Sequence, residues 1–170
     1  MNLDDFMTHM ANHAEMIRTL LLGISDEQAR WKPDAEQWSI LEVINHLGDE
    51  EIEDFQAHLD VILRGPTQPW PMIDPQGWVT QRRYNQRDVR ESLARFLKAR
   101  RASLDWLSSL DSPDWEAKYE APFGQLSAGD MLASWAAHDL LHMRQLVELH
   151  WAYTTRLVAP YSVNYAGLWE

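Results

Sequence analysis

Apolar residues recur at helical spacing in four long stretches of the chain. In the first, Leu3, Phe6, Met10, Ile17, Leu20 and Leu21 share one face over residues 3–22, and Gly23 is placed to stop it. The second opens on Ser39-Ile40-Leu41-Glu42, a capping-box pattern whose Ser and Glu side chains can satisfy orphan amide donors. Its stripe is Leu41, Ile44, Phe55, Leu59 and Ile62, and Gly65-Pro66 ends it. The third runs from about Asp88 to Leu110 on Val89, Leu93, Phe96, Leu97, Leu104 and Leu107, and Asp111-Ser112-Pro113 breaks it. The fourth follows the capping signal Ser127-Ala128-Gly129-Asp130 and spans about 128 to 150.

The connections are read from their turn residues. Residues 25–36 are polar, with Pro33, and have room for a short helical turn. Residues 65–78 contain repeated prolines together with Trp70 and Trp78, which reads as a loop and a candidate cover over a pocket. Residues 115–126 read as irregular, and the tail from Trp151 to Glu170, with Pro160 and Gly167, as non-helical. No convincing strand alternation is present, so the expected fold is an all-α four-helix bundle in a single domain over residues 1–170. The two middle connections exceed the usual ~2–8 residues of bundle loops, so the topology need not be simple up-and-down.

Composition narrows the function. The chain has 170 residues and a formal net charge of -11, with 26 acidic against 15 basic residues. That balance disfavours nucleic acid and anionic membrane surfaces as partners. No stretch approaches the ~18–20 apolar residues of a membrane span, and no signal peptide precedes Asp4 and Asp5, so a cytoplasmic protein with a small-molecule substrate is expected. With no Cys, any metal must use N and O ligands. Nine Trp imply aromatic walls in the core and pockets.

The candidate chemistry centres on His138 and His142, one turn apart in the fourth helix. On a wheel at ~100° per residue they share the arc of Met131, Trp135, Gln145, Leu146 and Leu149. Imidazoles on an apolar face need partners. A shared divalent cation and a hydrogen-bonded core pair are both open. His9 and His13 have the same spacing but read as partly exposed, as do His58 and His150. His46 points away from the stripe of its helix, toward Glu42, Asp49, Glu50 and Glu53. That face is either solvated or turned to a polar pocket where carboxylates orient the ring. The run Asp49-Glu50-Glu51 with Glu53 and Asp54 reads as a solvated face, with Glu50, one turn beyond His46, the exception that could support it. The chain lacks a phosphate-cradling Gly-rich loop, a nucleophile elbow and the Glu-x-x-His pattern of di-iron bundles.

Three features together resemble the DinB-like (DinB/YfiT) superfamily of bacterial four-helix bundles. They are Gln37-Trp38-Ser39-Ile40-Leu41-Glu42-Val43-Ile44-Asn45-His46-Leu47, the run Ser127 to Met131 leading to His138, His142 and Gln145, and the order and length of the helices. The resemblance implies a divalent metal, zinc or nickel, held by His46, His138 and His142, and a homodimer. It further implies a thiol S-transferase acting on a small electrophile with a low-molecular-weight thiol such as bacillithiol or mycothiol. A non-catalytic stress-associated ligand-binding module with a structural or vestigial metal is the alternative, and a metal-dependent hydrolase a further one. Asp49 and Glu50 are candidates to move a proton. Glu50, Gln145 and Trp135 are candidates to support the site, and Trp70, Trp78 and Trp135 to line a pocket.

Overall fold

The computed structural model of the chain describes residues 2–65, 67–167 and 169. Helix α1, Leu3–Leu21, starts where the Asn2 side chain accepts from the Asp4 amide at 3.1 Å. Asp4 and Asp5 in its first turn complement the positive end of the helix dipole. A short helix α2, Asp26–Arg30, is capped by Ser25. Ser39 and Glu42 form both halves of the expected capping box, at 3.1 and 2.8 Å, and open α3, Ile40–Asp49.

The second long helix does not continue as a plain α-helix. Residues Glu50–Gln56 are π-helical, and α4, Ala57–Arg64, completes the rod. Gly65, with φ of 94°, turns the chain out of it; Pro66 lies outside the described residues.

Three connections differ from expectation. The loop expected over 65–78 holds a helix, α5, Pro75–Gln81. Asp74 caps it by accepting from the Gly77 amide at 2.9 Å, and Pro75 takes the first helical position, where its missing N–H costs nothing. The connector expected to be irregular contains a hairpin, β1, Lys118–Ala121, antiparallel to β2, Gly124–Ser127, with Lys118 opposite Ser127 and Ala121 opposite Gly124. Between α5 and the hairpin runs α6, Val89–Ser108, capped by Asp88. Finally, α7, Ala128–Val158, extends past residue 150 because Tyr153 remains buried, packed edge-on against Trp31 at 5.4 Å. The non-helical tail therefore begins at Ala159 rather than Trp151, with a 3-10 turn at Asn164–Ala166; Leu168 and Glu170 lie outside the described residues.

The four long rods, α1, α3 to α4, α6 and α7, form the expected all-α bundle, and the two-stranded hairpin is a minor addition. Helix α3 packs on α6 and α7, and α1 packs on the same two. The core has two apolar layers. Ile17, Leu41, Ile44, Phe96 and Leu146 belong to one; Met10, Phe55, Leu59, Leu107, Leu132 and Trp135 belong to the other. No helix among the described residues is long and apolar enough to cross a membrane.

Along each long rod, a polar residue lies between the members of the two layers, and these residues meet at Arg100. Its guanidinium bonds Glu51 at 2.9 and 2.5 Å and Asp139 twice at 2.7 Å, and donates to the Met10 carbonyl at 2.8 Å. His13 Nδ1 reaches Asp139 at 3.2 Å, and Trp135 Nε1 donates to Glu51 at 3.1 Å. His13 is thus a buried member of this network, contrary to its expected exposure.

The start of the acidic run is likewise buried, whereas Glu53 is exposed as expected. Asp49, Glu50 and Glu51 are 3%, 4% and 2% exposed. Asp49 is held by Arg82 at 2.6 Å and by Arg95 and Tyr84. The wheel turned Asp49 and Glu50 to solvent, but α2 and α5 pack over α3 there.

Removing the guanidinium would leave two carboxylates buried and unpaired. Arg100→Ala should lower stability by about 3–5 kcal/mol in urea unfolding. A loss within about 0.5 kcal/mol, as at an ordinary surface site, would contradict the network's role.

Candidate metal centre

His46 comes from α3, and His138 and His142 from α7. Helix α3 is buried on every face, because α2, α5 and the segment between α2 and α3 cover the side that the wheel assigned to solvent. His46 is 5% exposed, so its polar surroundings are a pocket. The three Nε2 atoms converge: His46 to His142 is 3.1 Å, His46 to His138 is 3.4 Å, and His142 to His138 is 3.0 Å.

These contacts cannot all be hydrogen bonds. Each Nε2 is either a donor or an acceptor, and three atoms in mutual contact must leave at least one like-like pair. The other ring nitrogens sharpen the conflict. His142 Nδ1 lies 2.8 Å from Gln145 Oε1, an acceptor, so Nδ1 carries the proton and Nε2 presents a lone pair. His46 Nδ1 faces Glu50 Oε1 at 3.6 Å, and neither atom has a hydrogen-bond partner. A cation accepting three lone pairs resolves the clash. Ligand nitrogens about 2.0–2.1 Å from one metal lie about 2.9 Å apart at right angles and about 3.3–3.4 Å apart at the tetrahedral angle. The observed separations of 3.0 to 3.4 Å fit that range. Among the described residues, these three are the group of His and carboxylate side chains able to share an ion, and no fourth joins them.

Electrostatics keep the rings in the ligating form. Burial first, then the neighbouring His142 and His138, push His46 down to about 3. Burial and His142 push His138 down to about 4, and burial lowers His142. Trp38 packs edge-on against His46 at 4.9 Å and parallel to His142 at 6.4 Å.

The three rings lie in the wall of a cavity of about 960 Å³, with Glu50, Asp54, Phe55 and Gln145 beside them. Burial, a hydrogen bond with Asp54 and the charges of Asp54, Asp49 and Glu53 push the Glu50 carboxyl far above the usual range, so it retains a proton. Burial would raise Asp54 as well, but the hydrogen bonds from His58 and Glu50 outweigh it and hold it low. His58 is the partner sequence reasoning missed. It is buried, with Nδ1 at 2.7 Å from Asp54 and Nε2 at 3.0 Å from the Pro71 carbonyl. Both neighbours are acceptors, so both nitrogens donate and the ring is an imidazolium; Trp70 stacks over it at 4.2 Å. The spacing Glu50-x3-Asp54-x3-His58 was the available signal.

The other expected positions separate. Asp49 is committed to Arg82, Arg95 and Tyr84 and does not line the cavity. Trp135 is 1% exposed in the core and reaches the site only through Phe55, which stacks on it at 5.7 Å and meets His138 at 5.0 Å. Trp78 packs with Val79 and Tyr84, away from the cavity, and Trp70 lines a separate cavity of about 340 Å³. Trp38 and Trp151 take the places expected of Trp70 and Trp78.

In metal-free protein, histidine NMR should show His46 and His138 titrating near about 3 and about 4. The unfolded chain binds these protons near about pH 6.5 and the folded chain does not, so their burial costs stability progressively as pH falls below that value. Titration of both rings near pH 6.5 would contradict this placement.

The family model described as DinB superfamily matches residues 9–146. Among solved structures the chain is similar to YfiT from Bacillus subtilis, described as "a probable metal-dependent hydrolase with an unusual four-helix bundle topology". The two are 16% identical, the match covers 86% of this chain and 85% of that one, and the TM-score is 0.71. At that identity the likeness carries the fold alone. No curated protein matches the sequence.

Proposed function

The chain belongs to the DinB superfamily, and from that premise we propose that it is a metal-dependent enzyme whose His46, His138 and His142 hold one divalent cation, zinc or nickel, and whose reaction is hydrolysis of a small substrate. The observation that carries this reading is the convergence of three buried Nε2 atoms on the wall of an accessible cavity. Imidazole suits both metals, and a zinc site with three protein ligands and an open position is the catalytic kind. A closed four-ligand site would suit a structural ion, as in a non-catalytic module.

With three neutral ligands the cation keeps its full charge and can lower the pKa of a water or thiol beside it. The protein's own groups supply the rest. Glu50 orients His46 through Nδ1, and Gln145 fixes the tautomer of His142. Glu50 and Asp54 share a proton at the cavity wall, so the pair can take one proton from an attacking group and return it to a leaving group. The imidazolium of His58 holds Asp54 ionised for that exchange. Likeness to YfiT, described as a probable metal-dependent hydrolase, supports this choice of reaction.

Thiol transfer is the second reading. A cavity of about 960 Å³ has room for a thiol and an electrophile together. Assaying esters and amides against thiol–electrophile pairs separates the two.

Protein purified without a nickel column should carry about one metal per chain by elemental analysis, and His138→Ala should lose it. Glu50→Ala should weaken metal binding about 10–100-fold. Metal-free wild type whose stability is unchanged by His138→Ala would sink the assignment.

A further inference from the structure

We propose that the cavity beside the three imidazoles takes a substrate bearing a cationic ammonium on an apolar body, with the ammonium at the end away from the imidazoles. This rests on the reading of that cavity as the substrate site.

The carboxylates of Glu36 and Glu148 line the cavity, with Asp54 beside them already paired to the His58 imidazolium, and no Lys or Arg lines it among the described residues. Arg144 bonds Glu148 at 2.8 Å but stands 74% exposed outside the lining, so it offers an anionic ligand nothing within. Glu50 also faces the cavity. It is 4% exposed, but its Oε1 faces His46 Nδ1 at 3.6 Å and its carboxyl keeps a proton, so it serves that ring and adds no negative charge for a ligand. The remaining walls mix aromatic faces with prolines, glutamines, Leu149 and Ala152. Trp38, Phe55 and Trp151 contribute, and Trp151 is buttressed by Trp169, stacked at 5.2 Å. Indole faces attract ammonium groups, most strongly where water is excluded. A net charge of -11 adds a long-range field of the same preference.

The spacing along α7 sets a length. Gln145, Glu148 and Trp151 follow His142 at intervals of three residues on the cavity side. Glu148 lies six residues beyond His142, a rise of about 9 Å. A substrate whose reacting group meets the histidines can therefore place its ammonium near Glu148 and Trp151 when the two are separated by about that distance.

The probe is benzyltrimethylammonium, which has no lone pair to offer a metal, set against phenylacetate. Titrated into metal-free protein and followed by tryptophan fluorescence, the cation should bind saturably and at least about tenfold tighter than the anion. Glu36→Gln with Glu148→Gln, and separately Trp151→Ala, should each weaken it several-fold while the circular dichroism spectrum stays native. Equal affinity for the two probes, or cation binding indifferent to these substitutions, would overturn the inference. Full metal loading in a protein that ignores the ammonium would refute this ligand class and leave the metal centre standing. Saturable ammonium binding by a chain that takes up no metal would uphold the ligand class and refute the enzyme.

Discussion

The guanidinium of Arg100 is the constraint on which the rest of the structure depends. It is 2% exposed and makes charge-assisted bonds to Glu51 and Asp139, with a further bond to the Met10 carbonyl. Those partners lie on the π-helical segment, α7 and α1, while Arg100 itself lies on α6. Apolar layers can slide by a turn with modest loss, because burial is non-directional. A forked cation between two carboxylates cannot, because each misplacement leaves a buried charge unpaired. Arg100 therefore sets the register of all four rods.

That register builds the neighbouring site. Asp139 follows His138 directly, and Glu51 follows Glu50. Fixing Asp139 and Glu51 to Arg100 fixes His138 and Glu50 on the cavity side. On the second rod consecutive acidic residues leave the helix in different directions and serve different partners: Asp49 meets Arg82 and Arg95, Glu50 faces His46, and Glu51 meets Arg100. The concentration of negative charge in the interior is tolerated because most of it is paired. Glu50 is the exception, and burial keeps it protonated.

The histidine cluster answers to the same logic in reverse. Three imidazoles in contact cannot satisfy one another, and burial with mutual repulsion keeps them neutral. The arrangement is unfavourable as a hydrogen-bonded core pair and favourable as a ligand set. The chain thus carries local frustration at a place where a cavity reaches the bundle interior, which is where a functional site is expected to break the rules that stabilise a core.

The sequence by itself determined the helices and most of their ends. Periodicity and caps are local, so Ser39 with Glu42, Ser127 with Asp130, and Gly65 could be read without knowing what packs where. It also singled out His138 and His142, because one helical turn relates them. Other local signals were present but masked: Asp74-Pro75 opens α5, and prolines nearby obscured it. Only the tertiary structure decided which of the seven histidines meet. His46 lies 92 and 96 positions from its two partners, and no local period relates residues so far apart. Resemblance to a family had named it, but the wheel pointed it to solvent. The burial of Asp49, Glu50 and Glu51 was equally beyond local periodicity, since the cations that neutralise Asp49 and Glu51 come from the α5 end and from α6.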